Sequence, residues 1–323
     1  MTGPLREAAV VLPGEDAVVP GALDPWLTDQ AARDVVEEAS EVLGRNVVPW
    51  WRDRLNLCDP VAAALAAVVT GVAGARSLVA QGLQPVAYAG HGVGEYAALV
   101  AAGALRLDQV VALVDWRAEM LTHAPRPCCA GMAAVVGPGA SEVARRVVAD
   151  VGATGSLTVA SVDAPAQVVL SGGCDELARA RTAVTAAGLD LVRLPGRVAC
   201  HGPLVESVAA RLAAPLADLD WSVPAVPVLP NVDGRPTRDP DQLARGLRRH
   251  LTSPVQWEAT SRALVEAGAR CVVEVGAVPT LGPLIRQVHP DLPVQLAGGP
   301  GLPAPATRPE PVLTGPAPTR GER

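Results

Sequence analysis

Short apolar runs alternate with longer runs of helical spacing in the first part of the chain. A strand is predicted at Ala8–Leu12, where the apolar run stops at Pro13-Gly14, and a long apolar helix is predicted at Val61–Ala80. A second strand around Val86 leads into a glycine-rich turn, and a helix at Leu107–Leu121 follows. Such alternation of buried strands with long helices is typical of a parallel sheet covered on both faces.

The pattern changes after Pro127. A strand at Met132–Val136 and a helix at Ser141–Val151 begin a new series of elements. The next four elements, two strands, a helix and a strand, are predicted at Leu157–Val162, Gln167–Leu170, Asp175–Ala187 and Leu189–Leu194. The order β-α-β-β-α-β is that of a ferredoxin-like unit. We therefore predict a small subdomain inserted in a larger α/β domain.

Features of the larger domain return at Arg197–His201. The later elements, strand, two helices, strand and helix, are predicted at Val226–Leu229, Gln242–His250, Val255–Ala267, Cys271–Val275 and Pro279–Val288. From Gly298 the chain is rich in Pro and poor in periodic apolar residues, which predicts a disordered tail. The predicted domains are a discontinuous core at 1–127 and 197–297, the subdomain at 128–196 and the tail at 298–323.

The composition predicts an aliphatic core and argues against nucleic acid and membrane partners. The chain has 323 residues, of which 49% are hydrophobic and 19% are charged, and it has no Phe. Its net charge of -6 argues against nucleic acid as a partner. No charged leader precedes an apolar segment, and no uninterrupted apolar run reaches the roughly 18 residues of a membrane span. We therefore expect a soluble, cytoplasmic protein without a membrane partner.

The cysteines are scattered along the chain without a C-x-x-C pair. They are Cys58, Cys128, Cys129, Cys174, Cys200 and Cys271. In a chain of this length their spacing predicts buried thiols rather than disulfides or a zinc site. We expect no metal site.

The glycine-rich turn after the second strand reads Gly90-His91-Gly92-Val93-Gly94, with Glu95 next. It matches the frame of the G-x-S-x-G elbow, a strained strand-to-helix turn that exposes a serine hydroxyl above a sheet. The central residue here is Gly92, which has no side chain. The turn therefore indicates an acyl-transfer architecture that lacks the nucleophilic atom.

The order of segments from Ala8 to Val288 resembles that of the malonyl-CoA:acyl carrier protein transacylase family. The family's elbow, G-H-S-x-G-E, is similar to the turn at Gly90–Glu95. The other similar segments are Val10–Gly14, Trp116–Met120, Gly131–Val135, Val198–His201, Leu251–Trp257 and Glu274–Gly276. The resemblance implies an α/β-hydrolase-like parallel sheet with an inserted ferredoxin-like subdomain.

The resemblance also implies a two-step mechanism. A serine attacks the thioester of an acyl-CoA such as malonyl-CoA, and the phosphopantetheine thiol of an acyl carrier protein then collects the acyl group. No cofactor is needed, because the substrates themselves carry CoA or 4'-phosphopantetheine. A ketosynthase is a further partner to consider.

The site residues implied by the resemblance are assigned by motif. His201 is the base, and Arg117 pairs with the free carboxylate of a malonyl group. Backbone amides of Val93 and Glu15 hold the oxyanion, and the backbone carbonyl of His250 orients His201. His91, beside the nucleophile position, is expected to be structural.

Two departures from the family pattern weaken the covalent mechanism. Gly92 stands where the family has its serine, so no acyl-enzyme is expected. The first loop reads Pro13-Gly14-Glu15-Asp16 in place of a P-G-Q-G-like pattern, and two carboxylates beside an oxyanion oppose it electrostatically.

Three functions remain open from the sequence. In the first, the protein binds acyl-CoA or acyl carrier protein of a fatty-acid or polyketide pathway with little or no transfer. In the second, His201 activates a water in the space at Gly92 and hydrolyses wrongly loaded thioesters. In the third, His201 deprotonates the carrier thiol for direct, non-serine acyl transfer.

Overall fold

A computed structural model describes residues 7–123, 130–152, 156–195 and 198–301. The predicted tail beyond residue 301, the pair Cys128-Cys129 and the two predicted domain boundaries, at 127/128 and 196/197, lie outside the described residues. The boundaries therefore stay predictions.

The larger sheet has parallel strands in the order β7-β2-β1-β8-β9. These strands are β1 (Ala8–Leu12), β2 (Pro85–Gly90), β7 (Val228–Leu229), β8 (Cys271–Val275) and β9 (Val294–Ala297). Every residue of β1 and of β8 is buried. Apart from Glu274 in β8 these residues are apolar, as expected where helices cover both faces of a parallel sheet. The predicted parallel α/β core is confirmed.

Helices surround this sheet. They are α1 (Gln30–Leu43), α2 (Val47–Arg52), α3 (Pro60–Ala80), α4 (Gly94–Ala101), α5 (Leu107–His123), α8 (Glu206–Ala217), α9 (Pro240–Arg249), α10 (Trp257–Glu266) and α11 (Gly282–Val288). By length and composition alone, α3 could cross a membrane, but 94% of its most apolar window is buried inside the protein. Its start is fixed by Asp59, whose side chain accepts a hydrogen bond from the Val61 amide, and by Pro60 in the first turn.

A separate antiparallel sheet forms the small unit. Its elements are β3 (Ala130–Val136), α6 (Ala140–Val151), β4 (Thr158–Ala164), β5 (Gln167–Gly173), α7 (Cys174–Ala186) and β6 (Asp190–Arg193). The strand order is β4-β5-β3-β6, with antiparallel neighbours throughout. This topology confirms the predicted ferredoxin-like unit.

Backbone hydrogen bonds join β4 of the small unit to the segment before α10. The Val162 amide donates to the Val255 carbonyl at 2.8 Å, and the Val255 amide donates to the Ala160 carbonyl at 2.9 Å. The carboxyl end of β4 is therefore held against the larger sheet, which places Asp163 close to the elbow.

Some elements escaped the sequence prediction. Helices α1, α2 and α8 and strand β9 were not predicted. Helix α1 does have ordinary end signals, an Asp29 side chain that caps the Ala31 amide and Gly44 in a left-handed conformation. Strand β9 is a short edge strand with a half-buried pattern, too short for a periodicity to stand out.

The cysteine prediction was partly wrong. Cys200 and Cys271 are buried, as predicted, but Cys58 is exposed and Cys174 is half-buried. Cys58 ends a single 3-10 turn before α3, where no apolar face covers it.

Two glycines of α3 lie in contacts of different tightness. An added Cβ at Gly74 would overlap Val275 Cγ1 and lie 3.0 Å from the Trp26 ring, whereas one at Gly71 would lie 3.2 Å from Ala97 Cβ. Alanine gains about 1 kcal/mol of helix propensity over glycine at either position. Overpacking a core typically costs about 1–3 kcal/mol.

We therefore predict that Gly74→Ala lowers the free energy of unfolding by about 1–2 kcal/mol. Gly71→Ala, the matched control one turn away, should change it by less than about 1 kcal/mol. Urea denaturation of both variants measures the difference. Equal effects would contradict the tight contact assigned to Gly74.

Candidate active site

The strand-to-helix turn between β2 and α4 is forced by two glycines. A Cβ at Gly90 would overlap the carbonyl group of Gly94, and a Cβ at Gly94 would overlap the Leu12 carbonyl oxygen. The His91 amide donates to that same Leu12 carbonyl at 3.0 Å. Only glycine allows the chain to pass this closely, so the outer positions of the turn are set by backbone packing.

Gly92 occupies the apex of the turn and differs from the outer glycines. Its φ of +54° lies in the left-handed region. An added Cβ would meet a single atom within 4 Å, His201 Nε2 at 4.0 Å. The apex is therefore open toward an imidazole, and a side chain one atom longer than Cβ would come within hydrogen-bond reach of that ring.

His201 is fixed by a backbone acceptor. Its Nδ1–H donates to the carbonyl oxygen of His250 at 2.8 Å, which leaves the Nε2 lone pair toward Gly92. The residue has a φ of +60°, unusual for a side-chain-bearing residue, and it is buried. Burial, and then the charges of His250 and Arg117, hold the pKa of His201 well below its usual value. The imidazole is therefore neutral and basic at Nε2 near pH 7.

Asn231 braces the turn from below. Its Oδ1 accepts from the Gly92 amide at 2.9 Å, and its Nδ2 donates to the Gly90 carbonyl at 2.8 Å and to Glu95 Oε2 at 2.7 Å. Asn231 follows β7 at the carboxyl edge of the parallel sheet, the edge where such sheets place functional residues. The Asn231 side chain thus pairs with two backbone groups of the turn, the Gly92 amide and the Gly90 carbonyl.

Glu95 and His250 form a fully buried pair beneath the base. Glu95 Oε2 and His250 Nδ1 are 2.7 Å apart, and the two residues are 1% and 0% exposed. Burial raises the pKa of Glu95 to about 8 and lowers the pKa of His250 to about 3. Both shifts favour a neutral pair, in which the Glu95 carboxyl donates to Nδ1. The pair anchors His250, whose carbonyl holds His201.

Arg117 places a buried cation beside this network. It lies on α5, is 3% exposed, and its guanidinium carbon is 5.7 Å from the centre of the Tyr96 ring. Among the described residues it forms no ion pair with a carboxylate, although the charge of Glu15 acts on it, and its Nε has no hydrogen-bond partner. A buried guanidinium that no carboxylate pairs directly is a site for an anion, because its desolvation is otherwise poorly compensated.

The loop after β1 lies against the turn. A Cβ at Gly14 would come 3.0 Å from the His91 carbonyl oxygen and 3.9 Å from the Val93 nitrogen. The amides of Glu15 and Val93, the predicted oxyanion donors, make no hydrogen bond to another described residue. Desolvation, and then the charge of Glu15, raises the pKa of Asp16 to about 6. The two amides and the two carboxylates therefore share one end of the cleft.

His91 links the turn to the small unit. Its Nε2 is 2.9 Å from Asp163 Oδ1, and its ring meets Trp257 edge to face at 5.4 Å. Gln167 Nε2 donates to the other Asp163 oxygen at 3.0 Å, and the Ser161 hydroxyl donates to the first. A buried carboxylate with hydrogen bonds at both oxygens therefore holds Nε2 of the imidazole that precedes Gly92.

The structure brings the predicted site residues together around Gly92: His201, Arg117, Val93, Glu15 and His250. Sequence reasoning missed the roles of Glu95, Asn231 and Asp163. Glu95 and Asn231 carried usable signals, because Glu95 is a carboxylate in an otherwise apolar helix and Asn231 follows a buried strand. Asp163 carried no such signal.

The chain belongs to the acyltransferase family, since the sequence model of the acyl transferase domain matches residues 27–293. Its relatives include the polyketide biosynthesis protein ThaF of Burkholderia thailandensis, which is 35% identical over 227 residues. That alignment covers 70% of this chain but only 18% of ThaF.

Two further relatives carry malonyl transferase names. The malonyl CoA-acyl carrier protein transacylase of Salmonella typhimurium is 32% identical over 209 residues, covering 64% of this chain and 67% of that protein. The crystal structure of an acyl carrier protein S-malonyltransferase from Vibrio cholerae superposes with a TM-score of 0.85 at 30% identity. It covers 91% of this chain and 97% of that one.

The buried Glu95 carboxyl gives stability a predictable pH dependence. Its pKa is about 8 in the fold against 4.5 ordinarily, so the folded protein retains a proton that the unfolded chain has lost. The resulting stabilisation is complete below pH 4.5 and is lost as the pH rises through 8. His250, with a lowered pKa, opposes this effect only below pH 6.5.

We predict that the free energy of unfolding falls between pH 6.5 and 8, by up to about 1.4 kcal/mol per pH unit for one proton. Glu95→Gln, which keeps a donor for His250 but cannot titrate, should flatten this fall. The raised pKa of His91 leaves the same residual slope in both proteins. Urea denaturation across this range measures it, and an identical slope in the variant would refute the assignment.

Proposed function

We propose that this protein binds acyl thioesters of CoA and of an acyl carrier protein in the cleft at Gly92, without forming an acyl-enzyme there. The observation that carries the proposal is the open apex at Gly92, which faces a neutral, backbone-anchored His201. The binding and proton-transfer parts of a transferase site are in place, and the atom that would hold the acyl group is absent.

A free carboxylate on the acyl group fits the Arg117 site. The guanidinium is buried and forms no direct ion pair with a carboxylate of the described residues, so a malonyl carboxylate could pair with it and accept two parallel hydrogen bonds. The names of the Salmonella and Vibrio relatives support malonyl as the acyl group and an acyl carrier protein as the partner. The name of the ThaF relative supports a place in polyketide biosynthesis. A ketosynthase stays a proposed partner.

Loss of the serine closes the covalent route. In the family mechanism the serine hydroxyl attacks the thioester carbonyl after a histidine takes its proton. We propose that Gly92 replaces that serine, because its φ, its position between β2 and α4 and its distance from His201 Nε2 suit a nucleophile. Removing a member of such a triad leaves only roughly 10³–10⁴-fold acceleration over water, from the oxyanion donors and binding.

A second candidate function is thioester hydrolysis with His201 as the base. The observation that favours it is the lone pair of His201 Nε2, which faces unfilled space rather than a side chain. A water in that space gives its proton to Nε2 while its oxygen attacks the thioester carbonyl carbon. The tetrahedral intermediate then breaks its C–S bond, and the thiolate takes up a proton to leave as a thiol.

We predict that the natural protein binds malonyl-CoA by calorimetry and keeps no covalent radiolabel after incubation with labelled malonyl-CoA. Arg117→Lys, which keeps the charge but loses the planar fork, should weaken malonyl-CoA binding at least tenfold while acetyl-CoA binding stays within threefold. Absence of malonyl-CoA binding would refute the proposal.

The Gly92→Ser variant tests the assigned nucleophile position. A side chain at this φ costs about 1–2 kcal/mol of stability, and the new hydroxyl lies within reach of His201 Nε2. We expect covalent label on Ser at position 92 in this variant, whereas Gly92→Ala, with the same backbone strain, should stay unlabelled. Label on any other residue, or on the natural protein, would overturn the non-covalent assignment.

A further inference from the structure

His91 and Asp163 form a carboxylate–imidazole pair at the edge of the cleft. The Nε2–Oδ1 distance is 2.9 Å, and Asp163 is 3% exposed. Gln167 and Ser161 donate further hydrogen bonds to the two carboxylate oxygens, and these bonds favour the ionised form of Asp163. Such a carboxylate fixes the tautomer and the orientation of the imidazole that it holds.

The second nitrogen of His91 is available to a ligand. Because Nε2–H donates to Asp163, Nδ1 is left, and it makes no hydrogen bond to any residue in the described ranges. The side chain is 24% exposed, so part of the ring is accessible from outside. His91 directly precedes Gly92, and its charge acts on His201 across the cleft.

Charged groups from several elements face His91. Asp163 lies on β4, Glu15 and Asp16 lie on the loop after β1, and the edge of Trp257 lies at the start of α10. Burial alone would lower the pKa of His91, but the hydrogen bond and charge of Asp163, with the two loop carboxylates, raise it above its usual value. On the opposite side, the pKa of His201 is lowered.

The two histidines that flank Gly92 therefore have pKa values shifted in opposite directions, that of His91 upward and that of His201 downward. Environments that separate two titratable groups in this way are typical of an acid and a base acting in one reaction. A covalent mechanism can use a single histidine first as base and then as acid. In direct hydrolysis by water, one proton must be taken from the water and one must be given to the departing thiol. Two histidines can carry out these two transfers separately.

We propose that His91, held by Asp163, donates the proton to the departing thiol during hydrolysis of an acyl thioester in which His201 is the base. This inference rests on the hydrolytic function proposed above. The water oxygen bonds to the carbonyl carbon, His201 Nε2 takes the water proton, the C–S bond breaks and His91 Nδ1–H protonates the sulfur. Exchange with solvent then returns one proton from His201 and restores one to His91.

The loop after β1, which carries Glu15 and Asp16, gives a protonated His91 a second role. Glu15 and Asp16 would repel a developing oxyanion, and a protonated His91 between them and Asp163 offsets part of that charge. Their presence also helps to keep His91 protonated. The loop carboxylates, which oppose the covalent mechanism, support the proton donor in this one.

The kinetic test follows thiol release from acetyl-CoA and malonyl-CoA over pH 5 to 9. His91→Gln should lower kcat about 100-fold, the lower range for loss of a general acid, with KM within threefold. It should also remove the fall in rate on the alkaline side. Asp163→Asn keeps an oxygen acceptor for Nε2–H but removes the charge, so the alkaline fall should move to lower pH by about one unit. His123→Gln, on the exposed end of α5, is the control.

An NMR titration of the imidazoles gives a readout that does not depend on activity. His91 should titrate above 6.5 in the natural protein and at lower pH in Asp163→Asn. A pKa below 6.5 for His91, an unchanged rate in His91→Gln, or an alkaline fall that Asp163→Asn does not move would overturn the role of His91 and leave hydrolysis standing. No thiol release by the natural protein above buffer would overturn hydrolysis and this role together.

Discussion

The hydrogen bond between Glu95 and His250 is the contact on which the geometry of the site depends. Both groups are removed from water, and their mutual hydrogen bond satisfies Glu95 Oε2 and His250 Nδ1. Asn231 hydrogen-bonds the same carboxyl group and also the Gly92 amide and the Gly90 carbonyl of the glycine turn. Since the carbonyl of His250 holds His201, the position of the base and the shape of the turn are set by one buried network.

This network does not require a side chain at the apex of the turn. None of its bonds involves a side chain at position 92, because Gly92 contributes only its amide to Asn231. The left-handed φ of the apex is relaxed for glycine and would be strained for a residue with a side chain. The buried network therefore does not depend on the residue at the apex of the turn.

Local patterns in the sequence were sufficient for much of the fold, because strand β1, helix α3 and the glycine turn each carry a periodicity or a forced backbone approach. They were insufficient where an element is short or polar, as in β9 and α1. In the candidate site, motif resemblance pointed to His201 and Arg117, whose roles stay predictions. It could not supply the partners, because Glu95 meets His250 from 155 residues away and His91 meets Asp163 from 72 residues away. Only the folded chain shows which buried polar groups satisfy one another.

The state of the His201 imidazole tests the account most directly. Long-range proton–nitrogen NMR spectra of the natural protein at pH 7, assigned with a His201→Gln variant, report the protonation of each ring nitrogen. The account predicts a neutral ring with the proton on Nδ1 and a bare Nε2. A proton on Nε2 at pH 7, whether as the other tautomer or as an imidazolium, would contradict it.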